Sequence, residues 1–555
     1  MKSKLLAAAS HKKCSTSEPE AVATGQILFM RFANLRFFKL NLWPVAIAPG
    51  SDATISTRLF TFCAQPFFAL IVLSLASTSV FAQRPAGQTG PAGQSVTGAE
   101  IKGRAPMNKE ILRVKLPRAE EATLANGLRV VLLKNNRVPT FTMQLVVLSG
   151  GLSDPANYHG LAQFTAALLR EGTATRKSKD IAEQLDTLGT TLNASAGLSS
   201  FTSTVTTSGL IENFDATLDI FQDVVRNPKF PQEEVDKYKQ RQLAQLQFQR
   251  SLPQFLAAER FQRAVYGEHP AGMIVPPVES LKRIASADLA GFHSTYYRPN
   301  NALLTVVGDI TLKALLPKLE KAFGTWQKGE VPQTSIPVAP APAVMKIQLI
   351  DRPGSVQTAL QLGNLGIERT SEDYFAVLVM NQILGGGPAA RLFLNLREKN
   401  GYTYGAYSNF GGSKFRGTVV SASEVRTDVT EGAMKEFMYE LKRIREEKVS
   451  AVELENAKRA IVGSFALSLE QPNTLLQGIV TQKLYDLPAD YWDTYPQRVM
   501  AISVDDIQRA ANKYVDLGHL QIVAVGDASK TRQILAKYGT VEVYDAEGKL
   551  IPGGQ

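Results

Sequence analysis

Two stretches of this chain are written to one plan, and together they fix most of what it can fold into. Ser286-Ala287-Asp288-Leu289 leads through Tyr296-Tyr297-Arg298-Pro299-Asn300-Asn301 to the apolar run Leu303-Leu304-Thr305-Val306-Val307, closed by Gly308-Asp309. Ser503-Val504-Asp505-Asp506-Ile507 leads through Lys513-Tyr514-Val515 to Leu520-Gln521-Ile522-Val523-Ala524-Val525, closed by Gly526-Asp527. Each reads as a capped helix running into an apolar strand. A unit that returns at such a distance marks two copies of one domain. The Pro-rich segment 331–342 falls between the copies and reads as an extended linker. The resulting division is a first domain at 107–328, a linker at 329–343 and a second domain at 344–545.

Within the first copy, 128–133 and Thr140–Val147 read as strands around Asn135-Asn136. A helix follows at 160–173, then a helix at Ser178–Leu188, strands at Thr191–Ala196 and 201–208, and a helix at 212–225. The β-branched and aromatic content of Phe201-Thr202-Ser203-Thr204-Val205-Thr206-Thr207 suits a strand. Strands and helices mix without the regular alternation of a parallel sheet, so the class is α+β, built as two tandem homologous halves.

The chain of 555 residues is long enough for two substantial cores. Its net charge of +10 does not point to nucleic acid, because residues 1–82 carry eight Lys/Arg against three Asp/Glu and so supply half the excess. The remainder has no basic stripe with interleaved aromatics. Pro66 to Ala76 is an apolar run of signal-peptide length, and Val80-Phe81-Ala82 suits a signal peptidase, which predicts export, most naturally to a periplasm, with a mature start near Gln83. Met30 offers a second start. The alternative is a retained membrane anchor, which needs about 20 apolar residues. Segment 83–106, rich in Gly, Pro, Gln and Ala, reads as a flexible linker. Both cysteines, Cys14 and Cys63, precede the cleavage point, so the mature chain has neither a thiol nucleophile nor a thiolate metal ligand.

Gly160-Leu161-Ala162-Gln163-Phe164-Thr165-Ala166-Ala167-Leu168-Leu169-Arg170-Glu171-Gly172-Thr173 resembles the helix that carries the inverted zinc motif H-x-x-E-H in the insulinase/pitrilysin family of peptidases. There Gly-Leu-Ala leads into His-Phe-x-Glu-His and the helix closes at Gly-Thr. Residues at i and i+4 share a helix face, so two histidines can hold one Zn²⁺ while a glutamate beside them takes a proton from the bound water. Here the motif positions are Gln163, Ala166 and Ala167. A neutral amide is a poor zinc ligand and alanine offers no lone pair. The family's third ligand is a glutamate on a later helix, yet no Asp or Glu stands between Asp236 and Glu259. The five histidines, at 11, 159, 269, 293 and 519, never form an i, i+4 pair. The expectation is a chain without a family-type zinc of its own, zinc being supplied by a partner subunit.

The second half keeps its own motif. Gly385-Gly386-Gly387-Pro388-Ala389-Ala390-Arg391-Leu392-Phe393-Leu394-Asn395-Leu396-Arg397-Glu398-Lys399-Asn400-Gly401-Tyr402-Thr403-Tyr404-Gly405 resembles the family's Gly-rich turn, helix ending in Leu-Arg-Glu-Lys, and following strand. No Gly-Lys-Ser/Thr follows the glycines, so they read as a helix-entry turn and not a phosphate loop. In the family an arginine and a tyrosine, spaced as Arg397 and Tyr404 are, bind substrate backbone across a cavity. A guanidinium can clamp a carbonyl or carboxylate, and a phenol can donate to a developing oxyanion. Glu424 and Arg426 read as a solvated turn at a strand end.

Some members of the family work as pairs, one chain holding zinc and the other only the Arg/Tyr pair. The resemblance therefore implies a catalytically incomplete subunit that binds a zinc-bearing paralogue as a heterodimer and contributes Arg397 and Tyr404 to the hydrolysis of peptides. The alternative is a non-proteolytic peptide-binding or structural protein, as in the core subunits of the respiratory bc1 complex, which share this fold. Membrane association is expected only if the signal segment is retained.

Overall fold

The computed structural model describes residues 110–552, Leu112 apart. The apolar run at 66–76, its cleavage point and the 83–106 segment lie outside the described residues. Among the described residues no helix is long and apolar enough to cross a membrane.

Strands β1 (Glu120–Thr123), β2 (Arg129–Lys134), β3 (Thr140–Val147), β4 (Thr191–Ala196), β5 (Ser203–Leu210) and β6 (Ala302–Gly308) form one sheet in the order β1-β2-β6-β3-β5-β4. Strands β7 (Lys346–Asp351), β8 (Gln357–Leu365), β9 (Thr403–Gly412), β10 (Arg416–Arg426), β11 (Gln521–Gly526) and β12 (Val541–Tyr544) form a second, ordered β12-β7-β11-β8-β10-β9. Position for position the two orders agree. In both, the central strand pairs parallel on one side and antiparallel on the other. Only the far edge differs: β1 is antiparallel to β2, whereas β12 is parallel to β7. The two apolar runs of the sequence repeat are the equivalent strands β6 and β11, so two tandem α+β halves are what the chain folds into.

The first half carries helices α1 (Leu161–Leu168), α2 (Ser178–Leu188), α3 (Phe214–Arg226), α4 (Gln232–Arg250), α5 (Pro253–Tyr266), α6 (Val278–Arg283), α7 (Ser286–Tyr296) and α8 (Leu312–Phe323). The second carries α9 (Tyr374–Gly385), α10 (Thr430–Glu446), α11 (Ala451–Ser468), α12 (Pro472–Leu484), α13 (Tyr495–Ala501), α14 (Val504–Tyr514) and α15 (Ala528–Leu535). The repeat's two helices are α7 and α14, and they begin differently. Ser503 caps α14 through a reciprocal box with Asp506. At α7 the corresponding residue is Ala285, whose amide donates to Asp288 at 2.8 Å, while the Ser286 hydroxyl donates to the carbonyl of Phe230 instead. The first copy has kept half of a cap.

Side-chain alternation shows why β6 and β11 are buried throughout and, Thr305 and Gln521 apart, apolar. Leu304 and Val306 face the first half's own helices, and Leu303 and Val307 face away from them. The cover on that second face comes from the other half: Leu476, Ile479 and Val480 of α12. The second sheet mirrors this. Ile522 and Ala524 face its own helices, while Val523 and Val525 meet Leu256, Phe261 and Val265 of α5, a helix of the first half. A strand buried on both faces needs a nearly continuous apolar sequence. Gly308 closes β6 because any side chain there would press on the Thr140 carbonyl, 2.7 Å from the position of a Cβ.

Residues 331–342 carry no helix or strand, as an extended segment should. They are nonetheless tied down: His269 bonds the Pro337 carbonyl at 3.0 Å, Thr334 bonds Ser153 at 2.6 Å, and Ala339 is buried beside α5. The described residues make one compact unit. Phe261→Ala should therefore cost about 3–5 kcal/mol and lower the urea midpoint of a single transition seen by both near- and far-ultraviolet circular dichroism. Two separated transitions, with only the first half weakened, would contradict the exchange.

Candidate functional site

α1 is the helix of the degenerate motif. Gly160 precedes it with a φ of 98°, a conformation that glycine adopts without a steric penalty. With no side chain to cap the helix, Asp154 does so from upstream, accepting from the amides of Gly160 at 2.7 Å and Ala162 at 2.8 Å. Burial pushes this carboxyl up to about 7 against the lowering pull of those amides. His159, half-buried just ahead of the helix, is held below its ordinary range by desolvation. Phe164 locks α1 to α4 by an edge contact with Tyr238, ring centroids 4.6 Å apart.

The helix stops at Leu168, four residues short of the Gly172-Thr173 end that its sequence suggests. Residues 169–171 turn, and Gly172 and Thr173 form bridges to Lys177 and Pro228 instead. The cause is Thr173: its amide donates to the Arg176 carbonyl at 2.8 Å and its hydroxyl to the buried Asp223 carboxylate at 2.6 Å, which pulls the chain off the helical path.

Gln163 and Ala167 are half-buried on α1, and Ala166 is fully buried. Among the half-buried groups of α4, Tyr238 and Gln242 are not carboxylates, and Glu234, in its first turn, pairs with Lys237 at 3.0 Å.

In the second half, a turn of α-helix at Arg391–Phe393 widens into a π-helix at Leu394–Lys399, where the motif suggests one plain helix. The widening is built around Asn395. Its amide nitrogen donates to Glu436 and Glu440 of α10, both at 2.8 Å, and its carbonyl accepts from the backbone amide of Asn400 five residues on, at 3.1 Å. The Asn400 side chain adds a bond to the Asn395 amide oxygen at 2.7 Å. π-Bulges of this kind recur at functional sites. Gly385 at the end of α9 lets that helix press against β9, since a Cβ there would lie 2.2 Å from the Ser408 amide.

The π-helix ends beside β9 and brings Arg397 and Tyr404 together. The Arg397 guanidinium donates to the backbone carbonyl of Tyr404 at 2.5 Å, pairs with Glu398 at 3.1 Å and lies over the Phe393 ring at 5.4 Å. Phe393 packs in turn on Tyr407 at 5.6 Å. Tyr404 itself is 87% exposed on the edge strand, and among the described residues nothing bonds its hydroxyl. No hydrogen bond, ion pair or ring contact among the described residues joins this pair to Gln163, Ala166 or Ala167. Glu424 and Arg426 sit at the exposed end of β10, where Glu424 accepts from Gln254 of α5 at 2.5 Å and Arg426 pairs with Asp428 at 3.3 Å.

The sequence motif did not single out Arg391, which is buried and holds Glu453 of α11 through two bonds of 2.8 and 3.1 Å. Burial raises the Glu453 carboxyl, but Arg391 and the Ser450 amide outweigh it and hold the group down to about 2.

Comparison with known proteins sets this architecture in a family. Residues 129–275 match the model of insulinase (peptidase family M16), and residues 283–461 match that of the peptidase M16 inactive domain. An uncharacterized zinc protease of Bacillus subtilis is 26% identical over 358 residues, 63% of this chain and 85% of that protein. One from Rickettsia felis is 26% identical over 401 residues, 70% and 93% of the two chains. The crystal structure of a peptidase M16 inactive domain from Pseudomonas fluorescens superposes with a TM-score of 0.69 at 28% identity, covering 74% of this chain and 98% of that one. A protease from Helicobacter pylori shares the fold with a TM-score of 0.69 at 20% identity, covering 74% and 100%. The fold is that of a tandem insulinase-like protein, and the chain belongs to peptidase family M16.

Zinc, named for those relatives, finds no ligand set at the α1 positions. One amide and two methyl groups do not fit a cation that takes imidazole, thiolate or carboxylate. Among the described residues, no three His, Cys, Asp or Glu side chains are gathered as such a site would need.

The Arg391–Glu453 pair carries a pH signature. With a folded value of about 2 against an ordinary 4.5, Glu453 contributes stability in full above pH 4.5 and loses it as the pH falls toward 2. Arg391→Met should lower the thermal midpoint at neutral pH and flatten its decline across that acid window, as followed by circular dichroism. A parallel decline in both proteins would remove the pair from the account.

Proposed function

We propose that this chain is a catalytically incomplete member of family M16 that pairs with a zinc-bearing paralogue, the heterodimer hydrolysing peptides. The observation that carries the reading is the donor set of α1. The helix keeps the family frame in its entry glycine, its apolar anchor Phe164 and its seat against α4, yet Gln163, Ala166 and Ala167 provide neither metal ligands nor a general base. The partner supplies the metal, water and base. This chain supplies Arg397 and Tyr404: a guanidinium whose direction is set by the Tyr404 carbonyl, and a phenol free to donate to a substrate carbonyl. β4 and β9, each with one edge unpaired among the described residues, add backbone groups with which an extended peptide can bond. The exported form begins near Gln83 and works in the periplasm.

A second reading, a non-proteolytic peptide-binding or structural protein, draws on the same bond. A guanidinium already engaged by Tyr404 and Glu398 has less left to offer a substrate.

Two measurements separate the readings. The purified chain should be zinc-free and inactive alone, and should raise peptidase activity above the paralogue's own rate when mixed with it. Arg397→Ala with Tyr404→Phe should then lower turnover of the heterodimer roughly 10- to 100-fold without weakening assembly. Unchanged turnover in a verified heterodimer removes the role of the pair, and stoichiometric zinc with activity in the isolated chain refutes the reading altogether.

A further inference from the structure

A cavity of about 590 Å³ lies far along the chain from both motif regions, where the arm ahead of β1 crosses the second half's helices. Its apolar and partly aromatic wall includes Leu116 of the arm, Phe465 and Leu469 at the end of α11, Leu475 and Ile479 of α12, and Trp492, while threonine, glutamine and charged side chains make the remainder of the lining in part polar. This volume and lining suit a small organic molecule. The arm is secured over it by bonds that use up its charges. Asp493 accepts from the Leu116 amide at 3.0 Å and from Arg118 at 2.6 Å, Arg118 also donates to the Ala489 carbonyl at 2.6 Å, and Lys483 pairs with Glu121 at 2.6 Å.

Those two ion pairs cancel, and one lining carboxylate is left over. Asp486, just past the end of α12, is exposed and held at a φ of 49°, and among the described residues it has no ion-pair partner. A chamber with an apolar, aromatic wall beside one uncompensated negative charge suits an apolar body that carries a positive group.

We propose that this cavity binds a small amphiphilic amine, its aliphatic or aromatic body against the stacked Phe465 and Trp492 rings and its ammonium group at Asp486. Because the walls come from both halves, an occupant stabilises the seam between the arm and the α11–α12 pair.

Trp492 supplies the readout, since it lines the cavity with its indole nitrogen fixed to the Gly478 carbonyl at 2.9 Å. The full-length protein is titrated with octylamine, octanoate and octanol below their aggregation limits. Octylamine should change the tryptophan emission saturably and raise the thermal midpoint, as a ligand of the native state must. The emission change should vanish in Trp492→Phe, which retains Trp43 and Trp326. Octanoate should bind at least tenfold more weakly, and Asp486→Asn should weaken octylamine about threefold, the ordinary worth of an exposed ion pair. Gly478→Leu, where an added Cβ meets Trp492 at an ordinary 3.5 Å, should abolish binding by filling the chamber. Thr474→Tyr fills it from another wall should the first variant fold poorly. Absence of saturation, equal binding of octanoate, or undiminished binding in a filled variant that unfolds like the parent would each overturn the proposal.

Discussion

The structure depends on one reciprocal contact, the exchange of α5 and α12 between the halves. Each sheet has a central strand that is apolar on both faces, and each half owns enough helices to cover one of them. The second face is closed by a helix that the other half contributes. Uncovered, that face would expose a contiguous apolar surface of the kind that soluble domains avoid. Two copies of one topology have thus become a single cooperative body. The Pro-rich segment between them is pinned at Thr334, Pro337 and Ala339 because it runs over the α5 contact.

The two motif regions are held by side-chain packing and hydrogen bonds. α1 keeps its place through Phe164 on Tyr238 and through Asp154 at its entry. The π-helix owes its wider winding to Asn395, which satisfies its amide nitrogen on two glutamates and its oxygen on Asn400. An extra residue in the turn rotates the chain downstream of it. That rotation lets the Arg397 guanidinium reach the first residues of β9 and not only the flank of its own helix.

Much of the fold was legible in the sequence for a physical reason. β2 and β3 follow from apolar patterning, and the equivalence of β6 and β11 follows from runs that only a doubly buried strand requires. The spacing that brings Arg397 beside Tyr404 was legible. The features that stayed hidden depend on distant partners. The early stop of α1 at Leu168 is imposed by Thr173 on Asp223, fifty residues away. The winding at 394–399 needs glutamates on α10, and the Arg397 bond goes to a backbone carbonyl, a group common to every residue. The burial of Arg391 could have been suspected from its position between apolar neighbours, but its partner Glu453 could not. No periodicity announces that a helix will cover the sheet of the other half.

The exchange also sets an order in time. A chain made from its N-terminus has β2, β3 and β6 in hand by residue 308, yet the helix that covers their outer face is not made until Pro472–Leu484. α5 waits longer, because β11, against which it packs, ends at Gly526. Neither half can bury its second face during most of synthesis, and the final collapse joins parts hundreds of residues apart. Such a chain folds late and slowly, and it stays extensible until its last strands emerge.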